Sequence, residues 1–163
     1  MRSSTRLTAT SRYLIDLRET MIGNEREYHM AIITPEQVAA AYAALATGQR
    51  DQIIRMWAED MRWLVPGHNQ LSGWKNNVDE FIAFMAAVGR LSENSFRMDP
   101  VVVMTADNYS ADVTHNVGHR AGEPSRILDI DVIHWMRWRD GKIVEARGAI
   151  FGDGTAQYDA FWA

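Results

Sequence analysis

Between Arg126 and Phe151 two long apolar segments flank Asp140-Gly141, and their side chains alternate with the period of two that a strand requires. One parity of the first segment carries Leu128, Ile130, Val132, His134, Met136 and Trp138. The other carries Asp129, Asp131, Ile133, Trp135, Arg137 and Arg139. Asp-Gly predicts a tight hairpin, because both residues tolerate positive φ and the turn they make matches the strand twist. Tyr109–Arg120 alternates too: Tyr109, Ala111, Val113, His115, Val117 and His119 form an apolar parity, and Ser110, Asp112, Thr114 and Asn116 a polar one. The apolar parity is expected to face the core. Another strand is predicted over Ser95–Thr105, where Pro100 marks an edge or a bulge. Turns fall at Asp107-Asn108 and Gly122-Glu123-Pro124.

The first half of the chain follows the helical period instead. Thr34 is a good N-cap, Pro35 suits the first turn, and Glu36 lies near the positive end of the helix dipole. Val38, Tyr42 and Leu45 form one face, and Gly48 ends the helix. A second helix is predicted from Asp51 to Glu59, with Ile53, Ile54 and Trp57 as its apolar residues. A short strand over Met61–Val65 runs into Pro66-Gly67 and a loop through Gly73. A third helix carries Val78, Phe81, Ile82, Met85 and Val88, with Gly89 closing it. Helices first and antiparallel strands afterwards predict an α+β fold, with helices covering one face of a curved sheet. Residues 1–30 read as an N-terminal extension with a helical pattern at Leu14, Leu17 and Met21, and residues 31–163 as a single domain.

Composition narrows the function. The net charge of -4, with 15 Arg dispersed and only Lys75 and Lys142 as lysines, gives no clustered basic surface for nucleic acid. The absence of cysteine removes disulfides, a thiol nucleophile and Cys-type zinc sites. No apolar run reaches the ~20 residues that span a bilayer, and the Arg-rich start lacks the apolar core of a secretory signal, so no membrane partner and a cytoplasmic location are expected. No glycine pattern for nucleotide binding is present, and no two histidines lie four apart on a helix, so neither cofactor nor metal is expected.

The ordered strings Leu45-Ala46-Thr47-Gly48, Trp57-Ala58-Glu59-Asp60, Pro66-Gly67, Leu71-Ser72-Gly73, Asp79-Glu80-Phe81 and Asp140-Gly141-Lys142-Ile143-Val144-Glu145 resemble the nuclear transport factor 2-like superfamily, in its SnoaL-like polyketide cyclases and ketosteroid isomerases. Val132–Trp138 and Ala149–Asp153 are similar to the isomerases in particular. The resemblance covers about residues 31–155. It implies a cone-shaped, mixed and mainly antiparallel sheet wrapped around three N-terminal helices, with an apolar pocket at the open end and dimerisation through the outer sheet face. The isomerases' general-base aspartate corresponds to Val65 here, and their oxyanion aspartate to His134. Their oxyanion tyrosine falls nearest Tyr42, one residue off. The acid that follows the Arg or Trp of the last strand in cyclases and epoxide hydrolases is Gly148 here.

His134 is therefore the first candidate catalytic group, as a hydrogen-bond donor or general acid/base; the alternative is a core histidine bonded to a carbonyl. His115 and Tyr42 are its candidate helpers. Trp57, Trp63, Trp74, Phe81, Phe84, Val113 and Trp138, with His68 at the pocket mouth, are the candidate substrate-binding residues. Ile133 and Trp135, flanked by charges, have the make-up of a homodimer surface. The expected function is binding of a small hydrophobic terpenoid, steroid, polyketide or aromatic molecule. If the protein is an enzyme, the chemistry is cofactor-independent isomerisation, dehydration or cyclisation; otherwise it is a non-catalytic binding or dimerisation module.

Overall fold

The computed structural model describes residues 32–163. The N-terminal extension, with its pattern at Leu14, Leu17 and Met21, lies outside the described residues. The first helix, α1, spans Pro35–Ala46 and opens on a reciprocal cap: Gln37 N–H donates to Thr34 Oγ1 and Thr34 N–H donates to Gln37 Oε1, at 3.3 and 3.0 Å. Val38, Ala41 and Leu45 turn into the core.

The second helix is far shorter than the pattern predicts. α2 covers only Arg50–Ile53, and Trp57 opens strand β1, Trp57–Val65, instead of sitting on a helix. The cause is tertiary. Trp57 is fully buried, its indole N–H donates to the Ala41 carbonyl at 2.9 Å, and its backbone stands opposite Ile143. A three-residue strand β2, Gly73–Lys75, pairs with β1 where the sequence suggested loop.

Helix α3, Val78–Leu91, begins at Asn77, whose side chain accepts from Glu80 N–H at 2.8 Å. It runs through Gly89 rather than ending there. A Cβ at Gly89 would stand 2.8 Å from Asn94 Oδ1, so glycine is needed for the close return of the chain after the helix.

The strands β3 (Arg97–Ala106), β4 (Tyr109–Arg120), β5 (Glu123–Arg139) and β6 (Lys142–Ile150) follow as a meander. Asp140 and Gly141 both adopt positive φ, +51° and +72°, as the hairpin requires. The six-stranded curved sheet has the order β2-β1-β6-β5-β4-β3, antiparallel throughout except for the parallel β1–β6 pair. β3 is the edge strand and bulges just after Pro100. A closing helix α4, Gly154–Trp162, which the sequence reading did not include, buries Tyr158, Phe161 and Trp162 and packs on β5.

On β5 the faces fall as the alternation predicts: Leu128, Ile130, Val132, His134, Met136 and Trp138 are all buried. On β4 they are reversed. Ser110, Asp112, Thr114 and Asn116 are buried, while Ala111, Val113 and His115 lie on the opposite face. The reason is a register shift near the turn. Arg120 stands opposite Glu123, but its neighbour His119 stands opposite Ile127, so one step along β4 answers four along β5. The three extra residues are an odd number, and an odd slip sends every later side chain to the other face. Among the described residues no helix is long and apolar enough to cross a membrane.

The cap at Thr34 sets a test of this local reading. Thr34→Ala is expected to cost about 1 kcal/mol in urea unfolding, through loss of the α1 cap; Thr34→Ser should recover most of it.

Candidate active site

The register shift brings a charged group into the interior. Asp112 stands directly opposite His134, and both face inward, 1 % and 5 % exposed. Tyr42 reaches them from α1. Its hydroxyl donates to Asp112 Oδ1 at 2.9 Å, while His134 Nδ1 lies 3.0 Å from Asp112 Oδ2. An ionised carboxylate only accepts, so Nδ1 carries the ring proton and donates. Neutral imidazole then keeps a lone pair on Nε2, which has no hydrogen-bond partner among the described residues. Burial, with the nearby Asp112 charge and the hydrogen bond to it, raises the Tyr42 hydroxyl well above the ordinary tyrosine range. Tyr42 is thus a neutral donor, and Asp112 is the common acceptor for two groups.

The rest of the inward row on β4 is satisfied in the same manner. Trp138 Nε1–H donates to Ser110 Oγ at 2.8 Å, and Thr114 Oγ1 donates to Asn116 Oδ1 at 2.7 Å. Each polar side chain buried on this strand has a partner, as burial demands.

His134 lines a cavity of about 50 Å³ whose walls include Tyr42, Trp63, Phe81, Phe84 and Met85. Trp63 stacks on Phe81 with centroids 4.8 Å apart, and its ring centroid is 5.5 Å from that of His134. A second, more open space of about 400 Å³ runs between α1 and the β3–β4 edge, with Tyr42, Asp112 and Thr114 among its lining and mostly aliphatic walls otherwise. Tyr42, Leu45, Met85 and Met98 line both spaces, so these side chains separate them. Gly148 lies across from His134; a Cβ there would meet Pro66 Cδ at 3.0 Å and His134 Cδ2 at 3.6 Å. Glycine at this position keeps the strand clear of the imidazole.

The structure brings His134, Tyr42, Trp63, Phe81 and Phe84 together around the inner cavity. The other expected residues go elsewhere. Trp57 and Trp138 are wholly buried and line neither space; their indole donors are tied to Ala41 and Ser110. His68 has a largely exposed side chain in its loop, where its backbone N–H donates to Asp159. Trp74 stacks under the Arg62 guanidinium, 4.1 Å from the ring centroid, and Arg147 approaches the same ring at 5.5 Å. The reversed face of β4 removes Val113 and His115 from the interior altogether. His115 sits instead between two carboxylates on the outer face, with Nδ1 2.9 Å from Asp131 and Nε2 3.3 Å from Asp129. Sequence reasoning missed Asp112. Its signal was the four-residue polar row on a strand beside His134, which was assigned to solvent because polar alternation usually means solvent.

A six-stranded curved sheet with helices packed on it, enclosing a buried polar cluster among aromatic walls, defines the nuclear transport factor 2-like class. Within that class the chain matches the SnoaL-like domain over residues 38–146, and it belongs to that family. Three solved structures share the fold. One comes from a soil-derived mobile gene cassette (21% identity, 78% of this chain and 95% of that chain, TM-score 0.70). Another is a nuclear transport factor 2-like protein from Burkholderia xenovorans LB400 (18% identity, 76% and 93%, TM-score 0.65). The third is described as a candidate SnoaL-like polyketide cyclase from Jannaschia sp. CCS1 (18% identity, 80% and 96%, TM-score 0.61). No curated protein matches the chain.

Two outcomes follow from the cluster. Ultraviolet titration of the wild type minus Tyr42→Phe should show no step near the ordinary tyrosine pKa of about 10, because Tyr42 stays protonated beyond it. Asp112→Asn should destabilise the fold by about 1–3 kcal/mol in chemical denaturation, since it removes the charged acceptor that serves two buried donors.

Proposed function

We propose that the domain binds a small hydrophobic molecule beside His134 and carries out cofactor-independent proton transfer on it, as an isomerase, dehydratase or cyclase. The carrying observation is the buried Asp112 carboxylate held between Tyr42 and His134. Asp112 fixes the imidazole tautomer, so Nε2 is the atom that takes a proton from a bound substrate. The charge that then forms on the ring is balanced by the carboxylate 3.0 Å away. Returning the proton to a second position of the substrate completes an isomerisation; delivering it to a leaving oxygen completes a dehydration. Tyr42 keeps the carboxylate in place through its other oxygen. The aromatic walls and the fold shared with the Jannaschia protein favour a flat, oxygenated aromatic or polyketide-like ligand.

Ligand size limits how the site fills. About 50 Å³ holds a few waters but no ring, since even benzene occupies an engineered cavity of about 150 Å³. The neighbouring space of about 400 Å³ falls within the ordinary range for small-molecule sites. Met85 and Met98, which separate the two, are unbranched and adapt easily, so a ligand seated in the larger space gains His134 by displacing them.

A non-catalytic binding module is the second reading. It is favoured by the complete pairing of both Asp112 oxygens, which a purely structural core network would also show. In either case the domain is proposed to pair with a second copy through the outer face, where Trp135, Met104 and Tyr109 are 36 %, 48 % and 41 % exposed.

His134→Ala separates the two readings. With a substrate found by screening hydrophobic pools, turnover should fall by about 10²–10⁴-fold while the circular-dichroism melt holds. A compound that is retained unaltered by wild type and mutant alike would establish binding and remove His134 from any mechanism.

A further inference from the structure

The outer face is graded along its strands. On β5, Asp129 and Asp131 stand at one end, Ile133 and Trp135 in the middle, and Arg137 and Arg139 at the other. The neighbouring strands repeat the order. Asp99 of β3 lies opposite His115, and His115 opposite Asp131, at the acidic end. Val102 faces Val113 and Met104 faces Ala111 in the middle. Arg147 of β6 lies opposite Trp135, and Glu145, which it shares with Arg137, lies at the basic end.

A face that runs acidic, apolar, basic is complementary to itself when two copies stack with their strands antiparallel. A two-fold axis in the plane of contact, perpendicular to the strands at the level of Ile133 and Trp135, lays each acidic end on the other copy's basic end. That satisfies the rule for a closed two-fold interface, where one patch meets a second and the second meets the first. Asp131 would then approach Arg137 of the partner subunit.

His115 occupies the centre of the acidic end. From β5 it is faced by Asp129 and Asp131, from β3 by Asp99, which is itself paired with Arg97, and further along its own strand lies His119 beside Glu93. Three carboxylates against Arg97 leave two net negative charges at this end when His115 is neutral, and one when it is protonated. A protonated ring also holds Asp129 and Asp131 within its own subunit, in competition with arginines from the other copy.

We infer that this face joins a second copy in the antiparallel arrangement and that His115 sets its strength, protonation loosening the pair. This rests on the proposed dimer but not on the chemistry of the cavity. The Asp131 hydrogen bond, with the charges of Asp129, Asp131 and Asp99, raises the His115 pKa above its usual 6.5. The ring is therefore charged below that raised value and neutral above it, so association tightens as pH rises.

Sedimentation equilibrium of the full chain at low salt, from about pH 6 to about pH 8.5, tests this. The dimer dissociation constant should fall by roughly fivefold as pH rises, in keeping with the small worth of exposed charge pairs. His115→Gln should give a dimer with no such change. Asp131→Arg and Arg137→Asp should each weaken association, and the double variant should restore it. A monomer at every pH overturns the dimer itself. A dimer whose pH dependence survives His115→Gln, or that tightens as pH falls, overturns the control by His115 while leaving the dimer standing. A double variant no better than its parents overturns the antiparallel register. Unchanged melting curves for these exposed substitutions exclude unfolding as the cause.

Discussion

A carboxylate held away from water is costly unless every oxygen finds a donor, and the interior of this domain is arranged around meeting that demand for Asp112. One donor comes from a helix, the other from the adjacent strand. The two bonds tie α1 to the β4–β5 pair at the same point where the aromatic rings of Trp63 and Phe81 close over the imidazole. Removing any one of the three polar groups would strand at least one of the others in an apolar space. The cluster therefore acts as both a structural tie and a preset acid/base system, because the geometry that satisfies the carboxylate also leaves one imidazole nitrogen free.

The same register that creates the cluster creates the outer surface. Sending Asp112 inward sends Val113 and Ala111 outward, where they join Ile133, Trp135 and Met104 in an apolar band between charged ends. His115 goes with them and exchanges a cavity for a pair of aspartates. Two properties that look unrelated, a buried charge and an exposed greasy band, are thus consequences of one odd slip between β4 and β5.

The helix and strand elements whose signals are local were legible. Thr34-Pro35 and Asp140-Gly141 act through their own backbones, and the structure forms a cap and a hairpin there. The alternation on β5 was read correctly because five of its six inward residues are large and apolar, a pattern that solvent exposure would penalise. Where a partner far along the chain decides, the local signal misled. Ile53, Ile54 and Trp57 suit a helix, yet the parallel partner β6 and the Ala41 carbonyl claim Trp57 for a strand. Trp57 and Trp138 were legible as buried aromatics but not as solid core, since only packing distinguishes a pocket wall from a filled interior.

By itself, the sequence determined the class of fold, the inward face of β5 with His134 on it, and the charge-flanked band at Ile133 and Trp135, because these depend on short-range periodicity and turn chemistry. The tertiary structure alone decided that Asp112 is buried, that it meets Tyr42 and His134, and that His115 and Val113 belong to the outside. Pairing register is a property of two segments at once, and a shift beside a turn leaves no mark in the alternation of either strand taken singly.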